Sequence, residues 1–242
     1  MAPRMHRISN VLSTGFSATL VLSTLVIPVN EANAFPWSGL EWNLKDSDGA
    51  AVGPGPNVFS GDNVFVDAQN RLHMLIEDED GDGVWTTSEI ISTRAVGYGT
   101  YTMTLETPIR SFHNQAVLGF FTWSNEGNNT ELDIEVARFQ GTGPNAPRLV
   151  HSVQPQSTHS PVPTSWSGAS FHQLVWTRQR ATFTSRPLVG APAPIRSTFN
   201  NPLRPLGSTN LRINFWLRAG AVPAGATSPL EVIIRSVSYT PA

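Results

Sequence analysis

Thr100-Tyr101-Thr102-Met103-Thr104-Leu105-Glu106 alternates hydroxyl or charged side chains with large apolar ones. A strand turns successive side chains to opposite faces, so Tyr101, Met103 and Leu105 fall together on one side. Runs of the same kind lie on either side of it. Asn63 to Ala68 and Arg71 to Glu77 are joined by Gln69-Asn70, a short hairpin connection, and further strand patterns occupy 87–95, 115–124, 130–138, 149–154, 171–177, 180–185, 211–218 and 231–239. The spacing predicts about eleven strands and no 3.6-period helix beyond the N-terminal segment. Nineteen Gly and nineteen Pro suit the many turns such a chain needs. The fold class is therefore all-β, with two antiparallel sheets stacked as a sandwich or jelly roll. The Pro-rich stretches 155–167 and 186–206 read as long loops inside one domain, because the strands after them are needed to complete the sheets.

Composition narrows the functions open to this fold. Of 242 residues only 14% are charged, the net charge is −2, and the sixteen bases are fifteen Arg and a single Lys, Lys45. No basic footprint for nucleic acid is present. With no Cys, disulfides, thiolate metal sites and cysteine nucleophiles are excluded. Seventeen of the eighteen acids lie in residues 1–135, while 136–242 holds Glu231 alone beside ten Arg. Paired-carboxylate chemistry must come from the first part.

Residues 1–34 read as a signal peptide. Arg4, His6 and Arg7 form a basic start, Val11 to Val29 an apolar run diluted with Ser and Thr, and Ala32-Asn33-Ala34 an A-x-A cleavage site. The expected mature protein begins at Phe35, is secreted and extracellular, and has no membrane contact after cleavage. An uncleaved anchor is the alternative, since the run is nearly long enough to span a bilayer.

Glu131-Leu132-Asp133-Ile134-Glu135 is the segment that carries chemistry. On a strand, Leu132, Ile134 and Val136 face the core and the three acids project from the other side. Like charges in a row repel, so the stripe needs a reason. A retaining glycosidase supplies one, because it needs two carboxyls about 5 to 5.5 Å apart, one as nucleophile and one as acid/base. Asp133 between them would raise a neighbour's pKa and keep one acid protonated. The bland alternative is the polar face of a half-exposed strand.

Phe120-Phe121-Thr122-Trp123 followed by this stripe resembles the catalytic region of glycoside hydrolase family 16, especially the bacterial lichenases and laminarinases. Gly97-Tyr98-Gly99-Thr100-Tyr101 is similar to that family's YG-x-[YF] strand, Phe171-His172-Gln173-Leu174-Val175-Trp176 to its FHTY-x-x-x-W strand, and Asn214-Phe215-Trp216 to its N-L-W segment. The resemblance implies a concanavalin A-like jelly roll over residues 35–242 with a concave substrate cleft. It implies a secreted endo-acting hydrolase or transglycosylase of a β-linked polysaccharide, monomeric and needing no cofactor. Glu131 would be the nucleophile, Glu135 the general acid/base and Asp133 the assisting carboxylate. A non-catalytic glycan-binding jelly roll is the alternative function, though a lectin would not need both glutamates. Two features depart from the family: Asn128-Asn129-Thr130, a glycosylation sequon, stands where a Trp commonly precedes the motif, and the strand Glu231 to Tyr239 lacks the Asp that often helps hold a structural calcium.

Pyranose rings pack their C–H faces on indoles, so Trp123 and Trp216, near the acids and in the N-L-W-like segment, are expected to line the cleft, with Trp85 a further candidate. Trp176, alternating in a strand, is expected in the core. Asn57 resembles a cleft Asn of the family. Asp78, Asp80, Asp82 and Glu89, with Gly83, match the spacing of a calcium loop, D-x-D-x-D-G-x5-E, although strands rather than helices flank it and a solvated hairpin tip has the same composition. His113, His151 and His172 show no metal spacing.

Overall fold

The computed structural model describes residues 34–126, 131–138, 148–155, 157–158, 162–164, 166–190, 192–227 and 229–242. Of the signal-peptide reading of residues 1–34 only Ala34 is among these, and the sequon at Asn128 lies outside them. The described residues form eighteen strands, numbered in chain order, in two sheets packed face to face. The first sheet runs β1 (Ala34–Trp37), β2 (Leu40–Leu44), β7 (Thr86–Ser92), β17 (Asn210–Leu217), β9 (Ala116–Trp123), β10 (Leu132–Ala137), β11 (Arg148–Val153) and β12 (Ser157–Thr158). The short β13 (Val162–Pro163) also pairs with β11. The second runs β16 (Ile195–Asn200), β15 (Arg180–Pro187), β14 (Ser170–Trp176), β8 (Gly99–Leu105), β18 (Leu230–Pro241), β6 (Leu72–Ile76) and β5 (Val64–Val66). All neighbours along both paths are antiparallel. The exception lies off the path, where β4 (Asn57–Phe59) pairs with β3 (Ala51–Val52) and runs parallel to β7.

This is the expected jelly roll, and alternation builds it. In β8 Tyr101, Met103 and Leu105 are wholly buried between the sheets. Opposite them, β10 contributes Leu132, Ile134 and Val136, and β17 contributes Leu211, Ile213, Phe215 and Leu217. Trp176 is fully buried, as the sequence suggested. Burying each such side chain contributes roughly 1.5–3 kcal/mol. A one-residue slip of β10 would exchange that gain for carboxylates in the core, so hydrophobic burial on one face fixes the acids on the other.

Three elements differ from expectation. The stretch 186–206 is not one loop: β16 lies within it and forms the sheet edge. Its inward residues, Ile195, Ser197 and Phe199, include only two apolar ones, which leaves little alternation to read. The stretch 155–167 holds β12 and β13, two residues each, and β1 to β4 before the first expected strand were not foreseen. No helix of the described residues is long and apolar enough to cross a membrane.

Candidate active site

Strand order brings the site together. On the outer face of the first sheet, Glu135 pairs in register with Gly119, Gly119 with Asn214, and Asn214 with Glu89, making one row across β10, β9, β17 and β7. The next row is Asp133, Phe121, Arg212 and Ile91. Glu131 stands just before β10, at the Trp123 end of β9. All of these except Ile91, with Trp123, Trp216 and Lys45, line a cleft of about 400 Å³. Glu131, Asp133, Glu135, Trp123 and Trp216 thus share one site.

The three acids of β10 are not equivalent. Asp133 is 5% exposed and accepts a hydrogen bond from Ser152 Oγ at 2.7 Å. Burial and the negative charges of Glu131 and Glu135 push its pKa well above the ordinary aspartate value. That favours its protonated form, which can hydrogen-bond to Glu131. Burial also raises Glu131, and that hydrogen bond and the positive charge of Arg212 reduce the rise without reversing it. Glu135 is raised to about 7, first by burial and then by Glu131. Three neighbouring carboxyls in unequal settings, one of them poised near neutrality, can divide proton-holding and proton-giving between them.

Gly119 makes room in the middle of this row. A Cβ there would lie 2.5 Å from Asn214 Oδ1, so only glycine lets the Asn214 amide lie across β9 towards Glu135. Asn214 is 4% exposed and its Oδ1 has no hydrogen-bond partner. The cleft floor also carries an ion cluster that sequence reading missed. Lys45 Nζ pairs with Glu89 Oε2 at 2.8 Å and donates to the Gly53 carbonyl at 2.9 Å, and Arg212 Nη1 pairs with Glu89 Oε1 at 3.1 Å. The sequence reading noted Lys45 as the chain's only lysine but tied it to no site.

Other expected site residues lie elsewhere. Asn57 does not reach the cleft: it is 2% exposed and ties its loop to β17, donating to the carbonyls of Pro54 and Leu217 and accepting from the Leu217 amide. Trp85 packs against the hydrophobic core rather than lining the cleft. The four proposed calcium ligands are not brought together. Glu89 is turned to the cleft and spent on Lys45 and Arg212, while Asp78 and Asp82 accept hydrogen bonds from the amides of Gly83 and Val84 as turn formers, and Asp80 is exposed. No group of three His, Asp or Glu suited to a metal ion occurs among the described residues.

Searches of protein-family models and of curated proteins find no match. Solved structures do match. A Bacillus licheniformis beta-glucanase aligns with TM-score 0.62 at 16% identity, covering 88% of this chain and all of that one. A laminarinase from Flavobacterium sp. UMI-01 aligns at 0.59 and 14%, covering 82% and 92%. A glycoside hydrolase family 16 endo-glucanase from Bacteroides ovatus aligns at 0.62 and 10%, covering 82% and 94%. The chain has the fold of these enzymes over most of its length. At such identities the likeness speaks for the fold alone.

Proposed function

We propose that this chain is a secreted, retaining, endo-acting member of glycoside hydrolase family 16 that cleaves a β-linked, β-glucan-like polysaccharide. The observation that carries the reading is the unequal state of three carboxyls on one strand, set in a cleft with two tryptophans. Sequence motifs in family order and a fold shared with structures named as glucanases and a laminarinase add to it.

In the first step a Glu131 carboxylate oxygen attacks the anomeric carbon as the glycosidic C–O bond breaks, and Glu135 gives its proton to the departing oxygen. Asp133, holding its own proton and steadied by Ser152, fixes the attacking carboxylate by a hydrogen bond. In the second step water attacks the same carbon, Glu135 takes its proton, and Glu131 is released as a carboxylate. Two inversions restore the β configuration. With Glu135 raised to about 7, turnover should fall as pH climbs beyond that value, because the leaving oxygen then lacks a proton donor. Trp123 and Trp216 would stack on sugar faces along the cleft.

The test is a polysaccharide panel read by reducing-end release, followed by proton NMR of the earliest product. Release of oligosaccharides with a β anomer first is expected. An α anomer first would reject double displacement, and binding without release on every glycan would reject hydrolysis in favour of a binding module.

A further inference from the structure

Four carboxyl groups line the cleft, Glu89, Glu131, Asp133 and Glu135, together with two cations, Lys45 and Arg212. Lys45 is fully committed away from the β10 acids. Its Nζ is held by Glu89 and the Gly53 carbonyl and lies 3.7 Å above the Phe59 ring. Arg212 is held at both ends of its fork: Nη1 takes the second oxygen of Glu89, and Nη2 reaches Asn125 Oδ1 at 3.4 Å. Its Nε is buried without a partner. Asn125 Oδ1 also accepts Trp123 Nε1 at 2.9 Å, which ties the guanidinium to the segment after β9. Since Leu132 pairs with Thr122, that is the end of the β9–β10 ladder at which Glu131 stands. A planar guanidinium can bridge two anchors and still present charge to a third group, whereas a lysine ammonium on its flexible stem is not pre-organised to do so.

We propose that Arg212 is a positioning residue for Glu131, its guanidinium clamped by Glu89 and Asn125 as the fixed positive charge against which that carboxylate attacks. The proposal rests on the reading of Glu131 as nucleophile. The charged or titratable groups that share the cleft with Glu131 are Asp133 and Glu135 from β10, Arg212 from β17, Glu89 from β7 and Lys45 from just beyond β2. Three of these are acids, and Lys45 is turned to Glu89. Arg212 is the cation whose charge acts on Glu131. Without it, a buried carboxylate among other acids would take up a proton and lose its nucleophilicity.

The test uses Arg212→Met, Arg212→Lys and Asn125→Ala, the last on an exposed residue that leaves packing intact. Two readouts are compared: the pH dependence of kcat/KM, and a carboxyl carbon-13 NMR titration with the Glu131 resonance assigned by Glu131→Gln. Arg212→Met should move the acidic limb and the Glu131 midpoint upward by about one pH unit or more, with KM little changed. Asn125→Ala should shift both in the same direction by less, and Arg212→Lys should fall between wild type and Arg212→Met. An unmoved Glu131 midpoint in all three variants, with only melting temperature lowered, would overturn the proposal. If Arg212→Met does not fold, the other two variants decide. If the protein cleaves no glycan, the proposed function fails on the kinetic arm, while the NMR arm still decides whether Arg212 governs Glu131.

Discussion

Two polar clusters lie on opposite sides of the first sheet, one in the cleft and one between the sheets, and they are built on opposite rules. The cleft on the first sheet leaves Asn214 Oδ1 and Arg212 Nε without partners and crowds four carboxyls together. Between the sheets, Ser170, His172, Ser185, His151 and Ser197 form an unbroken chain. Ser170 Oγ meets His172 Nε2 at 2.8 Å, His172 Nδ1 meets Ser185 Oγ at 2.9 Å, Ser185 Oγ meets His151 Nε2 at 3.0 Å, and His151 Nδ1 meets Ser197 Oγ at 2.9 Å. Each neutral imidazole has one donor and one acceptor nitrogen, and each hydroxyl can serve both, so the interior chain is satisfied throughout. A satisfied network holds a fold in one arrangement; an unsatisfied one keeps free energy in reserve for a ligand.

The largest test of that difference is Glu131→Gln. It should cost about 10⁴-fold or more in turnover with binding and fold retained, measured by initial rates and by calorimetric titration with a glycan. Glu135→Gln should cost about 10²- to 10⁴-fold, recovered on substrates whose leaving group needs no proton. The same variant should be more stable than wild type. Glu135 binds its proton more tightly in the fold than in the unfolded chain, so the native acid favours folding below pH 4.5 and loses that advantage as pH rises towards 7. Above pH 7 the amide should gain as much as about 3 kcal/mol in denaturant unfolding. A variant that is both less active and less stable would break the view of the cleft as strained for function.

His172 should act with the opposite sign. Burial, and then the neighbouring His151, lower it to about 3, so it is neutral in the fold and its contribution is lost as pH falls below 6.5. The stability difference between His172→Gln and wild type should therefore shift by about 2 kcal/mol in the variant's favour between pH 7 and pH 5. Ser185→Ala, at the centre of the chain, should cost about 1–3 kcal/mol with kcat/KM unchanged, since two buried ring nitrogens, His172 Nδ1 and His151 Nε2, lose their hydroxyl partner. A change in turnover there would mean that the interior chain serves the reaction.

The legible part of both clusters was what one strand carries by itself. Glu131, Asp133 and Glu135 could be placed on one face because alternation along β10 is a local property. Tyr101 and Trp176 were readable as core for the same reason. Lys45, Glu89 and Arg212 were not, because they come from beyond β2, from β7 and from β17, and only the strand order makes them neighbours. Glu89 was misplaced because its spacing from Asp78 matched a ligand loop, whereas the chain leaves the hairpin tip at the Glu77–Thr86 bridge and climbs β7 three residues further, about 10 Å, to the cleft. Of the interior histidines, His172 was read only within the family-like strand at 171–176, and His151 gave no motif. They stand 21 positions apart in sequence and meet through Ser185.

The position of Lys45 has a practical consequence for handling the protein. Every other base in the chain is arginine or histidine, so the primary amines available to acylating reagents are Lys45 and the chain's α-amine. Lys45 is locked between Glu89 and the Gly53 carbonyl, which holds its ammonium away from a reagent. At near-neutral pH, activated esters should therefore attach the protein to a support through its amino terminus alone, giving a layer of molecules held by one end with their clefts unmodified.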